Sequence, residues 1–501
     1  MRDVPTIKEA QAALDAALDE SARALTPACL VAVAHQGRLV AARTHGFPRM
    51  DGTLTHSDTV FRIASMTKSF LAAAALGLRD DGLLDLNAPI AAYVPEAVFS
   101  YRGEPVSVSV AQLLSNSSGL PEDNAWADRN LYLTREDIAA LVRAGLPLAR
   151  PPGTAYQYSN IGQSLVARAV EAATGRDAED VVRTRLLEPL GLVHTRFRAG
   201  DYPPGTDLAL GFRTFDSGST FVHEPYVASG AMACTGGLFS TAADVAAWMW
   251  FLGSAFLDDP VRPDLLAPAS RRELQLGRTP MTIGGDDADA RLDARGYGYG
   301  LKVELDSRFG RIVSHSGGLP GFNSDMRWHV ASGCGVVVLA NVDAFNKTTR
   351  VSEKTLLGVL ERLDAPSEIV RPWGGTLRTA EAVDRALRQG GSLADLGDLL
   401  SSNVLADVPD DVRRRRLDAL LEVAGPIRAD QAPFAARILT APDPAALRWR
   451  IDCDHGALVA GVRLMALADP LVQTVEVALA DPSGRKPAGE PPGVTDHVRV
   501  V

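Results

Sequence analysis

Apolar residues run almost unbroken through "CLVAVAH" (29–35), pause at Gln36-Gly37 and resume in "RLVAA" (38–42). Two short apolar runs divided by a tight turn predict a β-hairpin. From about 66 to 80 the period changes. Phe70, Leu71, Ala74, Ala75 and Leu78 fall on one helical face, and Gly82 lies just past its end. The first residues, "MRDVPTIKEAQAALDAALDE" (1–20), form a charged amphipathic helix. Between about 85 and 285, short helical patterns alternate with loops rich in proline and glycine. Strand patterns return at 300–305, 311–315, 322–330 and 335–342, and a helical stretch at 351–364 closes the block. These elements predict an α+β fold: an antiparallel sheet built from both ends of residues 1–364, flanked by helices, with a helical insertion between.

"APSEIVRPWGGTLR" (365–378), with two prolines and two glycines, reads as a linker. Beyond it, helices near 379–390, 392–402 and 410–424 precede strands near 446–453, 457–466 and 471–480. Residues 379–501 therefore make a small α+β domain, ending in a loop after 481. No internal repeat is visible.

Composition narrows the function. At 501 residues, 46% hydrophobic and 22% charged, the chain is an ordinary globular protein with ample core. Its net charge of -10 argues against nucleic acid and anionic membranes as ligands. The start lacks a basic-then-apolar leader, and no apolar run approaches a membrane span. Four scattered cysteines, Cys29, Cys234, Cys334 and Cys453, form no CxxC pair and read as buried free thiols of a reducing compartment. The expected location is the cytoplasm.

With only six lysines against forty-five arginines, the placing of Lys68 in "FRIASMTKSF" (61–70) is informative. Lysine is rarely buried without a partner. Ser65 and Lys68 stand one helical turn apart, where a desolvated amine can activate a serine that is otherwise a poor nucleophile. The S-x-x-K pattern alone is weak, since Ser483 and Lys486 repeat it in a Pro/Gly loop. Two further stretches strengthen it. "RPPGTAYQYSNIGQ" (150–163) carries Tyr158-Ser159-Asn160, in which Tyr158 suits proton transfer and Asn160 hydrogen bonding; a buried tyrosine and a helix cap are the structural alternative. "IVSHSGGLPGF" (312–322) sets His315, Gly317 and Gly318 at a strand end, where glycine lets a substrate approach the backbone. H-x-G is weak by itself, for His35-Gln36-Gly37 matches it in a hairpin turn.

In this order the three motifs resemble the serine β-lactamase and penicillin-binding superfamily. The likeness is greatest to the branch holding class C β-lactamases, DD-carboxypeptidases, D-aminopeptidases and β-lactamase-like esterases. "LLSNSSGLP" (113–121) and "GGLFSTAADVAAW" (236–248) look familiar too, and the resemblance covers about residues 20–362. It implies a β-lactamase/transpeptidase-like fold and two-step acyl transfer, with Ser65 as acylated nucleophile. Lys68 and Tyr158 would share the proton work, Tyr158 as the more direct base. Asn160 would contact the substrate, and the N–H groups of Ser65 and Gly318 would hold the oxyanion. His315 would replace the lysine of class C enzymes, and Asn116 stands where many relatives carry histidine.

The remaining charged clusters read as structure. Asp286, Asp287, Asp289 and Asp293 suit a solvated loop better than a calcium site, and "DCDHG" (452–456) suits a hairpin turn. Arg413 to Arg416 read as the solvated face of a helix. No cofactor or metal is called for. The expected partner is a small-molecule ester or amide, with no nucleic acid and no membrane, and a homo-oligomer is compatible with the sequence. A carboxylesterase-type activity leads, ahead of a D-aminopeptidase or DD-peptidase-like amidase. A non-catalytic binding protein is the contrasting class, disfavoured because an inert scaffold has no need of a buried lysine. Trp126 and Tyr132 are candidates to line an acyl pocket.

Overall fold

The computed structural model describes residues 4–18, 26–283, 292–343, 348–490 and 497–501. Two compact units divide the chain: residues 1–306 with 311–365, and residues 307–310 with 366–501.

In the first unit, both ends of the sequence build one eight-stranded antiparallel sheet. Strand Ala28–His35 pairs with Cys334–Ala340 on one side, from Cys29 opposite Ala340 to His35 opposite Cys334, and with Arg38–Gly46 on the other. Gln36 and Gly37 both take positive φ, 48° and 78°, as a tight right-twisting hairpin turn requires. All eight residues of Ala28–His35 are buried, which explains an unbroken apolar run where a half-exposed strand would alternate. From Cys334–Ala340 the sheet continues outward through Phe322–His329, Gly310–Leu319, Lys302–Asp306, Leu292–Tyr297 and Thr279–Pro280. Helices Ile7–Ala17 and Thr348–Leu363 pack on each other and on the sheet, and Ala242–Gly253 packs across its central strands.

The insertion contributes helices Val110–Leu114, Arg135–Arg143 and Asn160–Thr174. At its heart lies helix Thr67–Asp80, where eleven of fourteen residues are buried. Phe70 stacks on Trp248 with ring centroids 4.0 Å apart, and the Trp248 indole N–H donates to Ser69 Oγ at 3.0 Å. A polar handle on a large buried ring fixes the ring's orientation as well as its depth.

The second unit holds a four-stranded antiparallel sheet, Ile438–Thr440, Ala446–Asp452, Ala457–Leu464 and Val472–Leu479 in that order. The "DCDHG" stretch is the turn between two of these strands. Helix Gly374–Arg388 begins inside the stretch expected as a linker. Its two glycines sit in the first turn, where N–H groups have no intrahelical acceptor to lose, and the buried stripe Thr376, Ala380, Val383, Leu387 carries the helical period. The arginine run is also not one solvated face. Four consecutive residues circle a helix completely, and Arg413 turns inward to donate to the carbonyls of Val404, Val408 and Val475. Asp286, Asp287 and Asp289 lie outside the described residues, and Asp293 is exposed on its strand.

All four cysteines are buried and none is in a disulfide. Among the described residues no helix is long and apolar enough to cross a membrane. Arg437 and Asp384 form a buried bidentate ion pair at 2.8 and 2.6 Å, and Asp384 also accepts the Trp449 indole N–H at 3.0 Å. Removing one partner strands a buried charge. Arg437→Ala is expected to destabilise the second unit by about 3–5 kcal/mol in denaturant unfolding, and a loss below about 1 kcal/mol would contradict this role.

Candidate active site

Ser65 sits in a tight turn, Ala64–Met66, between strand Phe61–Arg62 and helix Thr67–Asp80. The helix thus starts at Thr67, close to the expected 66, and Ser65 lies in the turn just before it. Ala64 is held at φ 48°, a conformation that costs a non-glycine residue about 1–3 kcal/mol and persists only where packing enforces it. Enforcement comes from Thr67 Oγ1, which donates to Ala64 O at 2.6 Å, and from Ser324 Oγ, which donates to Ile63 O at 2.8 Å.

Lys68 is sealed from solvent at 0% exposure. Its Nζ donates to Ser65 Oγ at 3.0 Å and to the Thr235 carbonyl at 2.6 Å, and lies 4.9 Å from the centre of the Tyr158 ring. Burial pushes the amine down to about 7, opposed in part by the carboxylates of Asp128 and Asp123. Asp128 is itself pushed up to about 6 by burial, with Lys68 pulling the other way.

Burial holds the Tyr158 phenol well above its ordinary range, opposed in part by the Ser65 hydroxyl, so it stays protonated near neutral pH. Its segment is clamped from the insertion. Asn116, buried at φ 52°, accepts the Ser159 N–H through Oδ1 at 3.2 Å and the Gln157 N–H through its carbonyl at 2.8 Å. Asp123 accepts from Ser159 Oγ and from the N–H groups of Asn160 and Ile161 at 2.7–2.9 Å, a carboxylate at the positive end of helix Asn160–Thr174. The Asn160 side chain is engaged in the same clamp: its amide donates to Asp123 Oδ1 at 3.1 Å and Asn124 Oδ1 at 2.9 Å.

His315 is 1% exposed, and its ring centroid lies 6.2 Å from that of Tyr158. Nδ1 is 2.6 Å from the Ser316 carbonyl and Nε2 is 2.9 Å from the Tyr297 hydroxyl. Burial, with Lys302 and Lys68 nearby, holds the imidazole well below its ordinary range and therefore neutral. Gly317 passes so close to the Ser65 turn that an added Cβ would lie 2.3 Å from Ile63 O and from Ser324 Oγ. At Gly318 the nearest atom to such a Cβ is Asn323 Oδ1 at 3.6 Å, so this position has room.

The structure thus brings Ser65, Lys68, Tyr158, His315 and Gly317 together, sets Gly318 one residue further along the strand, and turns Asn160 toward Asp123 and Asn124. Thr235, Asp123 and Tyr297 had no signal in isolation. Thr235 acts through its backbone, and only the neighbouring phrase "GGLFSTAAD" (236–244) marked its region. Trp126 and Tyr132 are 39% and 54% exposed.

Three motifs drawn onto a sheet closed by both ends of the sequence define the beta-lactamase fold. The Beta-lactamase family model matches residues 14–359, and the chain belongs to that family. Protein flp of Staphylococcus aureus (strain COL) is 26% identical over 321 residues, 64% of this chain and 60% of that protein. The chain thus spans about 60% of the length of such curated relatives. The D-alanyl-D-alanine-carboxypeptidase/endopeptidase AmpH of Escherichia coli (strain K12) is 27% identical over 300 residues, 58% of this chain and 71% of that protein. Among solved structures, the octameric penicillin-binding protein homologue from Pyrococcus abyssi superposes with a TM-score of 0.58 at 19% identity, covering 93% of this chain and 99% of that one. At that identity the match speaks for the fold alone.

The contact at Gly317 yields a direct test. Gly317→Ala must push the strand off the Ser65 turn, and serine labelling by a fluorophosphonate is expected to fall about 100-fold. Labelling within about twofold of wild type would show that this approach is not needed.

Proposed function

We propose that the protein hydrolyses small carboxylic esters through an acyl-enzyme on Ser65. The 3.0 Å contact between Ser65 Oγ and Lys68 Nζ carries this reading. An amine pushed down to about 7 is largely uncharged just above neutrality, so its lone pair can take the Ser65 proton as Oγ attacks the ester carbonyl. The Oγ–C bond forms, the bond to the leaving alcohol breaks, and the proton passes by way of the protonated Tyr158 to the departing oxygen. Water then attacks the acyl-enzyme and regenerates Ser65. This division gives the first proton to Lys68 and makes Tyr158 a neutral relay, because a phenol so strongly disfavoured as phenolate is a poor first acceptor. Gly317 permits the strand to lie against the Ser65 turn, so that the N–H groups of Ser65 and Gly318 hold the oxyanion. Asn160 acts through Asp123, by fixing the Tyr158 segment.

Uncharged substrates fit the electrostatics. His315 is neutral with both ring nitrogens engaged, so it offers no charge to a substrate carboxylate. Lys302, 3.5 Å from Ser316 Oγ, is shifted down by burial and has Asp325 as its counter-charge. Asp128 favours a second reading: a half-buried carboxylate near Lys68 would suit an acyl group bearing an ammonium, as in an aminopeptidase. A reducing, cytoplasmic location is consistent with four buried thiols, none in a disulfide. Homo-oligomerisation is part of the same proposal, by analogy with the Pyrococcus homologue, which is named as octameric and shares the fold.

A fluorophosphonate probe is expected to label wild type and spare Ser65→Ala; equal labelling would remove the nucleophile. p-Nitrophenyl butyrate should be turned over at least about 100-fold faster than D-alanine p-nitroanilide, and the reverse order would favour the aminopeptidase. Because Lys68 works only after losing its proton, kcat/KM for the ester should rise with pH through about 7. A profile that is flat or falling there would exclude Lys68 as the base.

A further inference from the structure

Tyr297 closes strand Leu292–Tyr297 and is fully buried. Its ring meets three others: Tyr156 at 5.5 Å, His315 at 5.9 Å and Tyr158 edge-on at 6.2 Å between centroids. A hydroxyl this deep is costly unless it is bonded. Its partner is His315 Nε2 at 2.9 Å.

Chemistry decides the direction of that bond. The Ser316 carbonyl, 2.6 Å from Nδ1, can only accept, so Nδ1 carries the ring proton. In the neutral imidazole Nε2 is then a bare acceptor, and Tyr297 donates to it. The Asn116 amide nitrogen is buried without a hydrogen-bond partner among the described residues. Asn116 in turn accepts the Ser159 N–H. A polar chain therefore runs from the Ser316 carbonyl through His315 to Tyr297. The carbonyl sets the tautomer, and the tyrosine hydroxyl, as the side-chain partner of Nε2, holds the far edge of the ring.

We propose that Tyr297 is a positioning residue: by donating to Nε2 of the imidazole whose Nδ1–H the Ser316 carbonyl already accepts, it holds the His315 ring in place and the Ser316–Gly318 edge in register with Tyr158 and Ser65. The kinetic part of this inference rests on Ser65 acylation as proposed above; the tautomer assignment does not.

The test is ¹⁵N-labelled full-length protein observed by long-range ¹H–¹⁵N correlation at pH 7.5, with the His315 signal identified by its loss in His315→Gln. Wild type should show a protonated Nδ1 and an unprotonated Nε2. Tyr297→Phe, which keeps the ring and removes the hydroxyl, should keep the Nδ1–H tautomer and shift the Nε2 resonance as that nitrogen loses its donor. It should also lower kcat for p-nitrophenyl butyrate about tenfold, with KM changed less than about threefold. A wild-type His315 protonated at Nε2 would overturn the proposal even if the variant failed to fold. So would a folded Tyr297→Phe with an unaltered Nε2 resonance and kcat. Correct tautomers in a protein whose Ser65 resists acylation would instead count against the esterase reading while sustaining the role of Tyr297.

Discussion

Sealing a lysine from water confronts the fold with a choice: match the charge at close range or let the amine become neutral. Lys68 meets a hydroxyl and a backbone carbonyl at hydrogen-bonding distance, while the carboxylates of Asp123 and Asp128 act on it only electrostatically. Neutral partners and partial compensation leave the amine poised near neutrality, 3.0 Å from Ser65 Oγ. That poise depends on the burial of helix Thr67–Asp80. Phe70 against Trp248, the alanine run 72–75 and the strained Ala64 turn all exclude water from the same spot.

The site is shared between elements that do not touch in sequence, so its precision comes from ties between them. Ser324 reaches across to the Ile63 carbonyl and fixes the Ser65 turn against the sheet. Gly317 removes the side chain that would force those two apart. From the insertion, Asn116 and Asp123 grip the segment on either side of Tyr158, one through the backbone before and after it, the other through the start of the following helix. Each tie is short and partly or wholly buried, where a hydrogen bond is strongest and its loss most costly.

Residues to which the proposed chemistry is assigned were legible because serine, lysine, tyrosine and histidine are informative types in restricted settings. A lone lysine in an apolar run and a Y-x-N before a helix identify segments without identifying contacts. The hairpin at Gln36-Gly37 and the return of strands after 300 were readable from period and turn chemistry. Residues that act on other residues were not. Thr235 contributes a carbonyl, which any residue has; Asp123 looks like one more loop acid; Tyr297 is apolar in pattern and polar only in its partner. Asn160 carried the motif, yet its amide serves Asp123 and Asn124, a pairing invisible until residues 37 positions apart are brought together. In the second unit, glycine pairs and charge runs misled for a geometric reason. Gly374-Gly375 lie where a helix begins, and four arginines in succession must face four directions.

The account rests on Lys68 being uncharged near neutrality inside the folded protein. Direct titration of the lysine side chains by ¹³Cε NMR reads this without any substrate, and six lysines make Lys68 assignable through a single Lys68→Arg variant. The resonance should titrate with a midpoint near 7. A midpoint near the ordinary lysine value of 10.5 would leave Ser65 without its proton acceptor and contradict the account.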